Sequence, residues 1–178
     1  MKRLLLAFFL CSAFTLHGNE KTDYSNIDVA WTVSWNRFYH SGTHLFYDYI
    51  SSYEKGKELS HLPTQQEVSR QYPNPCGYGT GMEDCAILTG TMLGTLVDRY
   101  EQTGDEQMKN FASLLLEGLK RCSLIPGFSG FVARGVCTED GKSFYYNSSR
   151  DQYTHCVHGV WKYYNSSLSN DSGRKIAR

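Results

Sequence analysis

The chain has no excess of charge of either sign. Its 18 lysine and arginine side chains are matched by 18 aspartate and glutamate side chains, so the formal net charge at pH 7 is zero. A protein that holds nucleic acid needs a positive field to displace the counterions of the phosphates. The even balance therefore argues against a nucleic-acid partner, although a single arginine can still recognise one carboxylate of a ligand.

Long apolar runs are lacking after the first residues. The chain starts with the basic residues Lys2 and Arg3, continues with an apolar run over 4–16 and becomes polar at 17–20. This pattern is typical of a secretory signal peptide, and the run is too short for a stable transmembrane helix. We therefore predict a signal peptide over 1–19, a secreted or periplasmic protein, and no membrane partner once the signal is removed.

Cysteine pairs with the spacing of a metal site are also lacking, and we predict neither a metal nor a cofactor. Local disulfides between Cys76 and Cys85 and between Cys122 and Cys137 are possible in an exported protein. The apolar surroundings of Cys85, Cys122 and Cys156 instead favour buried free thiols. Cys11 lies within the predicted signal peptide, and lipid attachment there is the less favoured alternative because bulky residues precede it.

Aromatic residues are plentiful, at 14% of the chain with thirteen tyrosines. Most aromatic side chains in proteins serve packing in cores and interfaces. Their flat faces also stack against the apolar faces of sugar rings, whose hydroxyl groups then need polar partners. The composition is therefore compatible with a carbohydrate partner without requiring one.

Apolar residues at helical spacing predict four long helices. These run from Ser25 to a stop at 41–42, from a glycine-rich approach at 76–81 to a stop at 103–104, from Asp105 to Cys122, and from Arg150 to Tyr164. We expect residues 81–122 to form a helical hairpin with the 150–164 helix packed beside it. A short helix near Thr64–Gln71, an extended arm over Thr43–Ile50 and a helix start at Gly173–Arg178 complete the pattern. Between 127 and 147 we expect a β-like excursion with a tight turn at Asp140–Gly141.

Four motifs together carry a family resemblance. They are Gly-Met-Glu-Asp-Cys at 81–85, the hairpin turn at 99–105, the loop Gly-Phe-Val-Ala-Arg-Gly at 130–135 and Ser-Ser-Arg-Asp-Gln at 148–152. Over residues 25–170 the chain resembles the N-terminal half of the (α/α)6 toroid of the six-hairpin glycosidase superfamily. The likeness is to uncharacterised exported bacterial members, distantly similar to unsaturated glucuronyl hydrolases. The resemblance implies an all-α fold in which helix N-termini line a sugar-binding funnel and aspartates act as general acids.

A closed ring of twelve helices needs at least ~200 residues, since helices average near 12 residues and connections near 5. We therefore expect residues 20–178 to form an incomplete, truncated toroid. Half a ring would leave the apolar flanks of its first and last hairpins exposed, which predicts self-association. Its funnel would be open to water, which predicts no glycosidase turnover by this segment alone.

The candidate site residues lie at helix starts or in the loops that lead into them. Asp84 and Asp151 are the catalytic candidates, and the substrate-binding candidates are Glu83, Arg134, Asn147, Arg150, Gln152, Tyr153 and His155. Asp84 lies where the helix dipole favours a carboxylate, which suits a base or an orienting group. We expect Glu83, Asp84, Arg134, Asp151 and Gln152 to converge on one end of the helical array.

Each candidate also has an alternative without a ligand. Asp151 and Gln152 have the spacing of capping boxes with Ser148 and Ser149, and Glu83 has the same relation to Thr80. Arg134 can clamp a uronate carboxylate or pair with the neighbouring acids. His155 shares a helix face with Asp151, so it can transfer protons or simply be satisfied by that carboxylate.

Three functions fit these residues. The first is an exported carbohydrate-active protein derived from a glycoside hydrolase that acts on oligosaccharides or uronate-containing sugars. The second is a polysaccharide lyase on the same scaffold, with Arg134 neutralising a uronate and Tyr153 or His155 removing a proton. The third is a non-catalytic sugar-binding protein or an inactive fragment.

Overall fold

The structure is a computed structural model that describes residues 25–178, so the predicted signal peptide lies outside the described residues. Within them, about half of the chain is helical and one small antiparallel sheet is present, which confirms the mainly α class. In chain order the elements are α1 (Ser25–Arg37), β1 (Tyr39–His40), β2 (Leu45–Phe46), α2 (Gln65–Ser69), α3 (Cys85–Thr103), α4 (Gln107–Leu124), α5 (Arg150–Tyr164) and α6 (Asp171–Ile176). No helix among these is long and apolar enough to cross a membrane.

Helices α3 and α4 form the predicted hairpin. Gly104 ends α3 in the left-handed conformation at φ 65°, which a residue without a Cβ adopts at little cost. The Asp105 carboxylate then accepts a hydrogen bond from the backbone N–H of Gln107 and starts the return helix. The two helices bury their apolar faces together in the core, which includes Leu93, Leu96, Leu115 and Leu119.

Helix α5 packs beside α3 and runs parallel to it. The side chains of Thr91 and His155 meet near the start of the pair, and Lys162 Nζ lies 2.6 Å from Asp98 Oδ1 further along. Gly90 and Gly159 let the two backbones touch, because a Cβ on Gly159 would overlap the carbonyl of Gly90. A Cβ on Gly90 would likewise overlap the carbonyl of His155. The absence of side chains at this crossing fixes how far the helices can approach and how they are offset.

Helix α1 ends at Arg37, so the predicted extension to Ser41–Gly42 is wrong. Tyr39 and His40 leave the helix and pair with Phe46 and Leu45 in an antiparallel ladder. The aromatic ring of Tyr39 lies 4.8 Å from that of Trp35 and 5.4 Å from that of Phe46, so leaving the helix brings three aromatic side chains into contact.

The predicted extended arm is a true strand only over Leu45–Phe46. It packs between α3 and α4: the backbone N–H of Phe46 donates to Thr89 Oγ1 at 3.0 Å, and the carbonyl of His44 lies against Gly118. Beyond the strand, the chain continues through Tyr47 and Asp48 toward the N-terminal end of α3. The N–H of Asp48 donates to the carbonyl of Gly81 at 3.0 Å.

The β-like excursion predicted for 127–147 contains no strand, although its turn at Asp140–Gly141 is present. The backbone of this segment bonds to helix ends instead of to a second strand. The N–H of Ala133 donates to Cys122 at the end of α4, and the carbonyl of Arg134 accepts from Ala86 at the start of α3. The segment is therefore a coil held across the ends of two helices.

All five described cysteines are free thiols, so neither local disulfide forms. Cys85, Cys122 and Cys156 are buried, as the alternative interpretation predicted. At the other end of the chain, α6 starts at Asp171 rather than at Gly173, because the Asn170 side chain caps it by accepting from the N–H of Gly173.

The close crossing of α3 and α5 predicts that Gly159→Ala is strongly destabilising. The new methyl group must push two backbones apart, so the free energy of unfolding should fall by about 2 kcal/mol or more, despite the better helix propensity of alanine. Gly94→Ala on α3 is the matched control, because its Cβ would meet only Lys162 Cδ at 3.7 Å. Urea denaturation should find Gly94→Ala at least as stable as the wild type. Equal losses in both variants would contradict the proposed role of this crossing.

Candidate functional site

The N-terminal ends of α3 and α5 meet through Asp84 and Gln152. Asp84 is the N-cap residue of α3, yet its carboxylate makes no capping hydrogen bond. Instead, Oδ1 accepts from Nε2 of Gln152 at 2.9 Å, and the same nitrogen also donates to the carbonyl of Glu83. Gln152 is fully buried. The carboxylate of Asp84 is thus directed toward α5 and away from its own helix.

The capping boxes predicted at the start of α5 are absent. Ser149 is the N-cap residue, but its side chain makes no capping bond. Ser148 donates to the carbonyl of Val132 instead, at 2.6 Å. Gln152 takes no part in capping, and its side chain bonds to the start of α3. The start of α5 is therefore bonded to α3 as well as to the coil that precedes α5.

Arg134 is buried beneath the site, with 3% of its surface exposed. Its guanidinium donates to the carbonyl of Glu83 at 3.0 Å, to Asn147 Oδ1 and to the hydroxyl of Tyr78, and it lies 3.6 Å from Asp84 Oδ1. The Tyr78 ring covers it at 4.9 Å from the ring centre. Of the two interpretations of Arg134, the structure shows pairing with the neighbouring acid.

Glu83 holds the glycine-rich approach to α3 in place. Its two carboxylate oxygens accept from the backbone N–H groups of Gly79 and Gly81 at 2.9 and 2.7 Å. Thr80 bonds to the carbonyl of Gly77 instead, at 2.6 Å. The predicted box between Thr80 and Glu83 is therefore wrong, because the carboxylate binds the turn that precedes the helix.

Asp48 is the site residue that sequence reasoning missed. Burial raises its pKa from an ordinary 3.8 to about 7, with further contributions from the charges of Asp84 and Glu83, while a hydrogen bond to the backbone of Asp84 offsets part of the rise. Asp48 therefore holds a proton on its carboxyl group in weakly acidic solution. One signal was available, since Asp48 is the only carboxylate in the aromatic run from Thr43 to Ile50.

A cleft of about 400 Å³ opens beside Asp48, between α1 and α3. Its walls are mostly aromatic and aliphatic: Ser34, Phe38, Phe46, Tyr47, Asp48, Tyr49, Leu88, Thr91, Met92 and Thr95. The Tyr49 ring is 46% exposed and stacks on the ring of His61, with the ring centres 4.8 Å apart. A half-exposed aromatic face next to an acid is an arrangement that suits the apolar face of a sugar ring.

The remaining candidates on α5 do not join this cluster. Asp151 is largely exposed, and within residues 25–178 its only ion pair is a contact at 4.0 Å with the exposed Arg150. His155 contacts Thr91 at 3.4 Å and makes no hydrogen bond with Asp151. The Tyr153 hydroxyl accepts from the N–H of Val132.

Asn147 does join the cluster, as a hydrogen-bond acceptor for Arg134. The predicted convergence therefore holds for Glu83, Asp84, Arg134 and Gln152, whereas the Asp151 carboxylate points to solvent.

No group of three or more histidine, cysteine or acidic side chains in residues 25–178 is placed to hold a metal ion. Comparison with protein-family models, curated proteins and solved structures finds no match to this chain. The resemblance to six-hairpin glycosidases therefore stays a prediction, and the candidate site has to be judged on its geometry alone.

The raised pKa of Asp48 makes stability depend on pH. The folded protein keeps the Asp48 proton up to about pH 7, whereas an unfolded aspartate loses it near 3.8. The folded state therefore binds more protons between these values, and stability falls as the pH rises through that window. Asp48→Asn has no proton to lose, so its free energy of unfolding should rise by ~1–2 kcal/mol relative to that of the wild type from pH 4 to pH 8. This value is reduced for the partial solvent exposure of Asp48.

Urea denaturation of the wild type and Asp48→Asn at both pH values measures this difference. Glu101→Gln, an exposed change of the same charge at the far end of α3, is the control and should show no comparable trend. A constant difference between wild type and Asp48→Asn across the pH range would refute the buried, protonated state of Asp48.

Proposed function

We propose that the protein is an exported carbohydrate-active protein of the glycoside hydrolase type, with its site in the cleft between α1 and α3. The observation that carries the proposal is the pair formed by Asp48 and Asp84. Asp48 lies on a cleft wall with a pKa raised to about 7, and Asp84 beside it accepts a hydrogen bond from Gln152 and pairs with Arg134 at 3.6 Å. Two carboxyl groups in contrasting surroundings are the arrangement that glycoside hydrolysis uses.

The two side chains suit different roles. Asp48 would donate its proton to the glycosidic oxygen as the bond to the anomeric carbon breaks. Asp84 accepts one hydrogen bond from Gln152 and lies 3.6 Å from the guanidinium of Arg134, so it would take a proton from the water that attacks that carbon. The proton that Asp48 gives up and the one that Asp84 gains balance over the reaction. The aromatic wall and Tyr49 would hold the sugar ring.

The packing of the helices supports the finer proposal of an (α/α) toroid. In such a ring, neighbouring inner helices run parallel and each is followed by an outer helix that returns. Here α3 and α5 are parallel neighbours and α4 returns between them in sequence. The N-terminal ends of α3 and α5 both lie at the candidate site, as a funnel lined by helix starts requires.

A surface groove also supports the predicted self-association. It lies between α4, α5 and α6, and its apolar side chains Leu124, Val157 and Trp161 are each more than half exposed. Apolar surface of this kind usually marks a contact with another protein surface. Self-association through this groove and export through the N-terminal segment stay predictions.

The lyase alternative receives less support. It requires an accessible cation to neutralise a uronate, but Arg134 is buried, donates hydrogen bonds to three groups of the protein and pairs with Asp84. Its two proposed bases are also engaged elsewhere, because the Tyr153 hydroxyl accepts from Val132 and His155 contacts Thr91.

Calorimetric titration with a panel of neutral, amino-bearing and uronate-containing oligosaccharides tests the proposal. Binding is the first readout because it does not require a complete ring. Asp48→Asn should retain binding, since its amide resembles a protonated carboxyl group. Any hydrolysis, measured by new reducing ends, should fall about a hundredfold or more in Asp48→Asn and in Asp84→Asn. Glu101→Gln should leave both readouts unchanged. Failure to bind any member of the panel would refute the function, and hydrolysis that survives Asp48→Asn would refute the assigned roles.

A further inference from the structure

Another pocket, of about 500 Å³, lies on the coil that joins α4 to α5. A proline and four aromatic residues line it: Pro126, Phe128, Phe131, Phe144 and Tyr146. In that order each aromatic ring contacts the next, at centre distances of 6.1, 6.3 and 5.2 Å, and the ring planes are inclined at 82°, 53° and 73°. Neighbouring rings thus stand steeply against one another, like adjoining walls, and are not stacked flat.

A hydrogen-bonded backbone keeps two of these rings in place. Phe144 and Tyr146 flank Tyr145, which is buried and donates through its hydroxyl to the backbone at 2.6 Å. The amide of Gln71 binds on both sides of Tyr145: it donates to the carbonyl of Phe144 at 3.1 Å and accepts from the N–H of Tyr146 at 2.7 Å. Gln71 lies at φ 57°, a left-handed conformation that costs free energy in a residue with a Cβ. Strain of this kind is concentrated at functional sites, which points to a function for the rings that Gln71 holds.

The chemistry of the pocket limits what it can bind. Phe128 and Tyr146 are 64% and 67% exposed, so a ligand can reach their rings. Among the described residues that line the pocket, none is charged and Tyr146 alone has a polar side-chain group. A sugar would therefore leave most of its hydroxyl groups without partners. The face of an aromatic ring carries partial negative charge, so a cation without N–H or O–H donors can be satisfied by the rings alone.

We propose that this pocket binds a quaternary ammonium group, such as the trimethylammonium group of choline. Its charge is spread over methyl groups, so it gains from apolar contact and from the negative ring faces without needing a hydrogen-bond acceptor. A protonated amine would lose hydrogen bonds to water that these side chains cannot replace. The inference does not rest on the proposed function, because the pocket and the cleft beside Asp48 share no lining residue.

Choline and dimethylbutanol, its uncharged analogue with carbon in place of nitrogen, have nearly the same shape and make the first comparison. Calorimetric titration of the whole chain should show choline binding at least about tenfold more tightly, because only the cation is attracted by the ring faces. In proton NMR the N-methyl signal of choline should move upfield on binding, since a ring shields the nuclei above its face. A purely apolar site would not prefer the cation.

Two ring variants and a control locate the binding. Phe128→Leu and Tyr146→Leu keep apolar contact but remove a ring, so each should weaken choline binding about fivefold or more and change binding of the uncharged analogue little. Tyr53→Leu removes a tyrosine that is 82% exposed and does not line the pocket, and it should bind choline as the wild type does. Circular dichroism and thermal melting establish that the three variants are folded.

Vesicle sedimentation distinguishes the two sources of such a group. Sedimentation with phosphatidylcholine but not with phosphatidylglycerol vesicles, lost in Phe128→Leu, assigns the group to a lipid headgroup. Binding of free choline without sedimentation assigns it to a soluble molecule, and both results support the inference. Equal affinity for choline and dimethylbutanol overturns it, as does choline binding that survives both ring variants. A neutral oligosaccharide whose binding is lost in Tyr146→Leu, with no binding of choline, overturns it in favour of a sugar platform.

Discussion

The contact between α3 and α5 at Gly90 and Gly159 is the constraint on which the rest of the structure depends. Two backbones in direct contact cannot slide past each other as freely as helices separated by long side chains. The crossing therefore fixes the offset of the helices along their common axis, and with it the level at which they start. A shift of one turn would move Gln152 by about 5.4 Å relative to Asp84 and break their hydrogen bond. The contact between Asp84 and Gln152 is consequently a result of helix packing.

The two acids of the site are kept different by their partners. Asp84 accepts a hydrogen bond from Gln152 on α5 and pairs with Arg134 in the coil after α4, whereas Asp48 lies against the aromatic wall of the cleft with a single backbone donor. The charge of Asp84 then helps to hold the proton on Asp48. The buried Arg134 supplies the compensating positive charge, so the chain can keep several acids close together. Burying these charges costs free energy, which the packing of the core has to offset.

Periodicity in the sequence was enough to predict the hairpin and the neighbouring helix, because apolar stripes on α3, α4 and α5 decide what those helices bury. The convergence of Asp84, Arg134 and Gln152 was predicted for a related reason, since Asp84 and Gln152 flank helix starts and Arg134 lies in the loop that leads into one. The predicted capping boxes were wrong because the spacing alone does not decide the hydrogen-bond partner. A serine followed three residues later by an acid or amide is compatible with a local helix cap and equally with hydrogen bonds to other parts of the structure. In the structure Gln152 binds a distant partner, Asp84, whereas Glu83 binds the turn that precedes its own helix.

Asp48 was missed because its role depends on where β2 leads the chain. Gly81 explains the placement: its carbonyl accepts from the backbone of Asp48, its N–H donates to Glu83, and its lack of a side chain leaves room for His61 beneath Tyr49. At φ 84° this residue adopts a backbone conformation that other residues rarely tolerate. One glycine thus fixes the backbone of Asp48, binds the carboxylate of Glu83 and leaves space for the imidazole on which Tyr49 stacks. The backbone that carries the acid and the ring that supports Tyr49 are therefore set by the folded protein, which is the preorganisation that an acid–base site needs.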